Sequence, residues 1–309
     1  MDINNLQSGL YMPSQESGKK NLVRAISEDG SAVAIAIDST EMVARMEQIH
    51  KTSAVVTAGL GRLTTAGSIM GSMLKNTTDT LTLRMSGGGE VGSLIAVADS
   101  AGNVKSYVTN PVVELPLNEH GKLDVGGAVG KDGTLQVIKD LGLKEPYAGQ
   151  VPIISGEIAE DITAYYAQSE QTPTVCSLGV LVNPDLTVKS AGGFMVQLLP
   201  FADEGCIEII EQNVNKLPAV STMIEEGMTP EDIALKLLDG LKPNIIDTMA
   251  TAYRCDCSRA RVEKALISMG KESLEEMIAE DGKAEVNCHF CPKIYRFNKE
   301  ELQEILKSI

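Results

Sequence analysis

Two periods of apolar spacing run through this chain. Residues 22–27 and 32–37 are short runs rich in Val, Ile and Ala on either side of Asp29-Gly30. That dipeptide readily adopts the positive φ values of a tight turn, so the pair predicts a β-hairpin. Ser39 or Thr40 can cap a helix reaching about His50, and a second helix rich in Ala, Leu and Met covers about 53–75. Residues 81–85, 93–98 and 104–108 are separated by Gly- or Asn-containing turns and predict a meander of strands. Further strands are expected at 134–139, 174–182 and 194–199, with a helix over about 158–168. Strands and helices mix without a regular βαβ alternation, which makes the expected class α+β rather than a doubly wound parallel sheet.

From Asp203 the spacing becomes helical. Ile207, Ile210 and Val214 share one face, closed by Pro218, and a short piece runs from Thr222 to Gly227. Thr229 is a natural N-cap, Pro230 fits the first helical position, Glu231 and Asp232 suit the positive end of the dipole, and Gly240 follows the last turn. Residues 203–250 therefore read as a string of short acidic amphipathic helices, marginal unless their apolar faces find a partner. The module that follows directly in sequence is the expected partner. It predicts helices over 258–269 and 271–279, strands at 284–287 and 293–297, and a last helix capped by Asn298. Three units are expected: a core domain over 1–202, an acidic helical linker over 203–254 and a small metal-binding domain over 255–309.

Composition narrows the function. A chain of 309 residues, 43% hydrophobic with a mean hydropathy of zero, can bury a sizeable core, which excludes global disorder. Its formal charge of −15 repels phosphate backbones and anionic lipid, arguing against nucleic-acid and membrane partners. Residues 201–250 hold ten acids against three bases, whereas the last 59 residues are close to neutral, so composition shifts near residue 250. No apolar run approaches the roughly 18 residues of a membrane span. The opening Met1-Asp2-Ile3-Asn4-Asn5 lacks the basic and apolar regions of an export signal, and a soluble, cytoplasmic protein is expected.

Gly87, Gly89 and Gly92 match the dinucleotide spacing G-x-G-x-x-G after a strand, but the fingerprint needs a following helix to receive the pyrophosphate. Residues 93–98 are short, apolar and bounded by turns, so these glycines predict a hairpin turn. With only His50, His120 and His289 in the chain, none in a recognisable catalytic neighbourhood, the expectation is a protein that is not an enzyme.

The specific signal is Cys255-Asp256-Cys257, a gap of 30 residues, then Cys288-His289-Phe290-Cys291. Two close pairs of thiols returned to one place by the fold suit a tetrahedral zinc ion, with Cys255, Cys257, Cys288 and Cys291 as ligands. His289 can compete, but four cysteines already complete the tetrahedron. The tail has few apolar residues of its own, and structural zinc contributes about 10 to 16 kcal/mol in small domains, so metal removal should unfold it. Zinc-bound thiolates also react with peroxide, and a disulfide is a poor zinc ligand, so an oxidant can eject the ion and melt the tail. Cys176 and Cys206 stand alone among apolar residues and read as small buried hydrophobes.

These residues resemble the heat shock protein 33 family of redox-regulated bacterial chaperones. The likeness lies in Tyr253-Arg254-Cys255-Asp256-Cys257-Ser258-Arg259, Val262-Glu263, Ala265-Leu266 and Cys288-His289-Phe290-Cys291 with Tyr295 and Phe297. Gly61-Arg62 with Ala66-Gly67, and Thr229-Pro230-Glu231-Asp232-Ile233 with Leu238, Gly240 and Leu241, extend it across the chain. The resemblance implies an ATP-independent holdase that binds unfolded client proteins and dimerises through its N-terminal domain. It also implies inactivity while reduced and zinc-bound, and activation when Cys255 bonds Cys257 and Cys288 bonds Cys291. Cys176 and Cys206 match no motif of the family. Two other readings stay open on the residues alone: a zinc-ribbon module for nucleic acid, which the charge disfavours, and a dithiol oxidoreductase using Cys288 and Cys291.

Overall fold

The structure, a computed structural model, describes residues 20–200 and 202–309. The opening residues weighed above for an export signal lie outside that range. Strand β1 (Leu22–Ile26) turns at Gly30 (φ 71°) into β2 (Ala32–Asp38), as the Asp-Gly pair predicted. Both faces of β2 are covered, which explains its uninterrupted apolar sequence. Ile35 and Ile37 face one core, and Ala32, Ala34 and Ala36 face another.

Helices α1 (Thr40–His50) and α2 (Ala54–Gly71) follow, and α2 is buried almost all round. Its polar residues can be inside because Thr64 and Thr65 hydroxyls donate to the Leu60 and Gly61 carbonyls of the preceding turn, at 2.7 and 2.8 Å. Close packing also needs its small residues, since a Cβ on Gly61 would come within 2.7 Å of Val43.

Strands β3 (Thr80–Ser86), β4 (Ser93–Asp99) and β5 (Val104–Val108) form the predicted meander. The glycine triplet is the β3–β4 turn, and a Cβ on Gly87 would lie 2.2 Å from the Gly130 carbonyl oxygen. The glycines serve a close approach of two loops, not a pyrophosphate. A short α3 (Val125–Val129), then β6 (Thr134–Asp140) and β7 (Tyr147–Pro152), complete an antiparallel sheet of order β5-β4-β3-β6-β7.

Helix α4 (Ala159–Tyr165), continued by a π turn to Glu170, leads into β8 (Thr174–Val182) and β9 (Val188–Leu198). These join a second antiparallel sheet, and α2 packs between the two sheets. The architecture is the α+β arrangement expected.

Helices α5 (Glu204–Lys216), α6 (Val220–Glu225) and α7 (Pro230–Leu237) occupy the predicted positions, with Thr229 and Asp232 forming a reciprocal cap on α7. Two expectations need correction. The apolar faces of these helices are filled by the second sheet and not by the cysteine tail: Cys206, Ile210, Met223, Ile233 and Leu237 pack with Ala34, Ala36, Phe194 and Val196. Nor is 203–250 helical throughout, because β10 (Asn244–Met249) pairs antiparallel with β1 and gives that sheet the order β10-β1-β2-β9-β8. None of its residues is fully buried, so the strand carries no apolar alternation by which to recognise it.

The tail consists of α8 (Arg259–Ser268), α9 (Lys271–Glu280), β11 (Lys283–Asn287), β12 (Ile294–Asn298) and α10 (Lys299–Lys307). Leu266, Leu274, Phe297, Leu302 and Ile305 form its small core. Asn298 caps α10 reciprocally with Glu301, as the sequence suggested. Among the described residues no helix is long and apolar enough to cross a membrane.

Candidate metal centre

Cys255 and Cys257 lie on the extended approach to α8, whose first turn is capped when the Ser258 hydroxyl accepts from the Arg261 amide at 3.3 Å. Cys288 and Cys291 lie on the loop between β11 and β12, and the antiparallel pairing of those strands carries that loop back to the first pair. All four sulfurs fall within 4.8 Å of one another, with Cys255 to Cys288 at 3.7 Å and Cys257 to Cys291 at 3.4 Å. A tetrahedron of thiolates about 2.3 Å from a zinc ion has sulfur–sulfur edges of about 3.8 Å. Donor type, number and spacing therefore fit a metal ion.

The electrostatics favour a cation as well. Burial raises the Cys255 and Cys291 thiols above the ordinary range. Burial also opposes ionisation of Cys257, but the Tyr295 hydroxyl, 3.1 Å from its sulfur, and the neighbouring thiols outweigh it and hold that group low. Four negative sulfurs this close repel one another unless a positive charge lies between them.

Contacts from the core meet the same knuckle. The Tyr253 hydroxyl lies 2.9 Å from the carbonyls of both Ser106 and Phe290, and 3.2 Å from His50 Nε2. Tyr107 packs edge-on against His289 at 5.0 Å, which places that imidazole against β5. Lys105 pairs with Asp256, which also pairs with Arg261, and its ammonium lies 5.3 Å from the centre of the Phe290 ring. The cluster is thus fastened to β5 on the side facing the core.

Residues 20–298 match the family described as Hsp33 protein. The chain belongs to the Hsp33 family. The 33 kDa chaperonin of Clostridioides difficile (strain 630) is 51% identical over 93% of this chain and 99% of that one. The 33 kDa chaperonin of Geobacillus kaustophilus (strain HTA426) is 46% identical over 92% and 96% respectively. The crystal structure of the 33 kDa chaperonin from Thermotoga maritima superposes with a TM-score of 0.84 at 39% identity, covering 94% of this chain and 98% of that chain. The resemblance read from the cysteine motifs and the α+β class both stand on these matches.

The docking residues of this Hsp33 chain were less visible than its cysteines. Tyr253 and Asp256 stood inside the quoted motif, but nothing in the sequence paired them with His50, Lys105 or Ser106, which lie about 150 to 200 positions away. The other two cysteines stay apart from the cluster. Cys206 is buried with its sulfur 3.2 Å from the Ser31 hydroxyl, and burial pushes the Cys176 thiol up to about 12. His120 is exposed beside Glu119.

Proposed function

We propose that this Hsp33 chain is an ATP-independent holdase chaperone whose client binding is governed by the oxidation state of Cys255, Cys257, Cys288 and Cys291. The core over 1–202, the acidic segment over 203–254 and the tail over 255–309 act as its working units. When reduced, the four thiolates hold zinc, which supplies the cross-link that fixes a tail with a small core. Oxidation joins Cys255 to Cys257 and Cys288 to Cys291. Each disulfide forms when a pair of thiolates gives up two electrons; one peroxide accepts them together with two protons from solvent and leaves as two waters. A disulfide sulfur is a poor zinc donor, so the metal is no longer held and the tail loses its fold.

The single observation carrying this reading is the gathering of four sulfurs within 4.8 Å directly beside the contacts that tie the tail to β5. Losing the fold of 288–291 removes the Phe290 carbonyl from Tyr253 and frees the segment leading back to α7. Clients then meet apolar surface that the folded chain covers. Unfolded proteins are the partners of this reading, the cytoplasm its setting and a homodimer its working form, with binding rather than catalysis as the activity.

The test combines zinc content, thiol counts and suppression of aggregation of a chemically unfolded client, before and after mild peroxide. Expected are four protected thiols with zinc in the reduced protein, then two disulfides, free zinc and a gain in suppression. Zinc release with no gain in suppression would overturn the proposal.

A further inference from the structure

One extended stretch, 244–254, ending against Cys255, closes an edge of each sheet. Its first part, β10, pairs with β1 over Leu22–Ile26 and is the outermost strand there. Its second part runs along β5, the edge strand of the other sheet. The Val104 amide donates to the Ala252 carbonyl at 3.0 Å, and the Arg254 amide donates to the Val104 carbonyl at 2.8 Å. Beyond that bridge the Ser106 amide donates to the Tyr253 hydroxyl at 3.2 Å. The same strap therefore pairs with the outward side of β1 and, at Val104 and the Ser106 amide, with that of β5.

The strap and the edges it covers differ in anchorage. No residue of β10 is fully buried, Ile246 is 52% exposed, and the pairing with β1 is interrupted by a register shift at Arg24/Ala25. By contrast Leu22, Val23 and Ala25 of β1, and Val104, Ser106 and Val108 of β5, are buried in the core. Lifting the strap gives up main-chain pairing, the buried Thr251 and the partial packing of Ile245, Met249 and Tyr253 against the two cores. None of its apolar side chains is fully buried, and β1 and β5 stay in place with open edges. Such an edge is a template for any extended backbone, because it reads main-chain groups and tolerates any side chain that points to solvent.

We propose that the outer edges of β1 and β5 are acceptor sites for extended segments of unfolded polypeptide, which add as strands where 244–254 lies in the folded chain. The strap is then an internal occupant whose extended form shows the kind of ligand these edges take. The inference rests on the chaperone reading above and specifies how that site recognises its clients.

The experiment follows hydrogen exchange of segments 22–26 and 104–108 in the full-length chain, with and without a chemically unfolded client. Two forms are compared: the oxidised protein, and a reduced variant carrying Asp247→Pro with Thr248→Pro. Consecutive strand amides point to opposite sides, so one of the two prolines removes a donor facing β1 whichever way the strand lies. In the variant, exchange over 22–26 should rise about ten-fold without oxidation, and client should return it toward the wild-type rate. In the oxidised protein both segments should behave so. An opened edge in the reduced variant that client leaves unprotected would overturn the inference, whatever oxidation does to the wild type. So would protection that appears without client and rises with protein concentration, which would assign the edges to a second copy. Failure of the chaperone switch is read separately, from zinc release and aggregation suppression in the oxidised wild type.

Discussion

The Tyr253 hydroxyl lies 2.9 Å from the main-chain carbonyl of Phe290, a residue between two of the four clustered cysteines. The same oxygen accepts from the Ser106 amide in β5, so one phenol joins the cysteine knuckle to the core. Its one hydrogen can go to only one carbonyl at a time. Removing it leaves the buried Ser106 amide without its acceptor and the Phe290 carbonyl without its donor, while His50 Nε2 stays 2.8 Å from the Ser106 carbonyl. Tyr253→Phe should cost about 1 to 3 kcal/mol of tail docking. Faster hydrogen exchange over 251–258 in the reduced protein, with zinc content unchanged, is the expected result. Unchanged exchange would remove Tyr253 from the latch.

Metal removal should separate the tail from the rest. The tail core is five buried side chains, whereas α2 and the two sheets share one large cluster. A strong chelator under reducing conditions should therefore abolish the helical circular dichroism of α8 to α10 while the cooperative unfolding of the core persists. Cys291→Ser should reproduce this without chelator, by losing one of four donors. A tail that stays as ordered without metal as with it contradicts the proposed switch.

Disulfide mapping distinguishes two routes of oxidation. In the folded tail the sulfur contacts of 3.7 and 3.4 Å join Cys255 to Cys288 and Cys257 to Cys291, across the two pairs. Once the tail is unfolded, closing a loop of more than 30 residues costs about 2 kcal/mol more than closing a local one. Mild oxidation that melts the tail should therefore yield Cys255 with Cys257 and Cys288 with Cys291, read by peptide mapping. Predominance of the cross pairs would show that oxidation is completed within the folded tail.

The acidic helices depend on the second sheet, and Leu237 is completely buried against it. Leu237→Ala should destabilise that packing by about 2 to 5 kcal/mol and bring client binding into the reduced state. Aggregation suppression without oxidant, zinc still bound, is the measurement. A variant as inactive as the wild type when reduced would separate α7 from control of client binding.

Asp29 supplies an acid-range test of the first hairpin. Its carboxylate accepts from the Ser27 and Ser31 hydroxyls and from the Ser31 amide, which lowers it to about 2. The unfolded chain binds that proton more readily than the folded hairpin. The stabilisation is thus complete above the ordinary carboxylate range and is lost as pH falls from about 4 toward 2. Asp29→Asn should flatten that limb of the urea midpoint plotted against pH. An unchanged slope would show that other carboxylates dominate it.

Local patterns were legible wherever their cause was local. A cap such as Thr229 with Asp232 or Asn298 with Glu301 acts within one turn, and the Asp29-Gly30 turn needs only its neighbours. The apolar run of β2 announces burial on both faces wherever its neighbours come from. β7 escaped notice because an exposed edge strand carrying Gly149 and Pro152 has weak alternation, and α3 because Gly126 and Gly127 disguise a single turn.

The sequence by itself determined that four thiols in two close pairs would form one site, since their spacing and chemistry leave little else to do in a small neutral tail. Tertiary structure alone decided what that site is fastened to. Tyr253 meets Ser106 and β10 meets β1 across separations of 147 residues or more, and the acidic helices choose the sheet over the tail. Such pairings depend on complementary surfaces and on which backbone edge is still open after the rest has folded, and neither leaves a periodic trace in the chain.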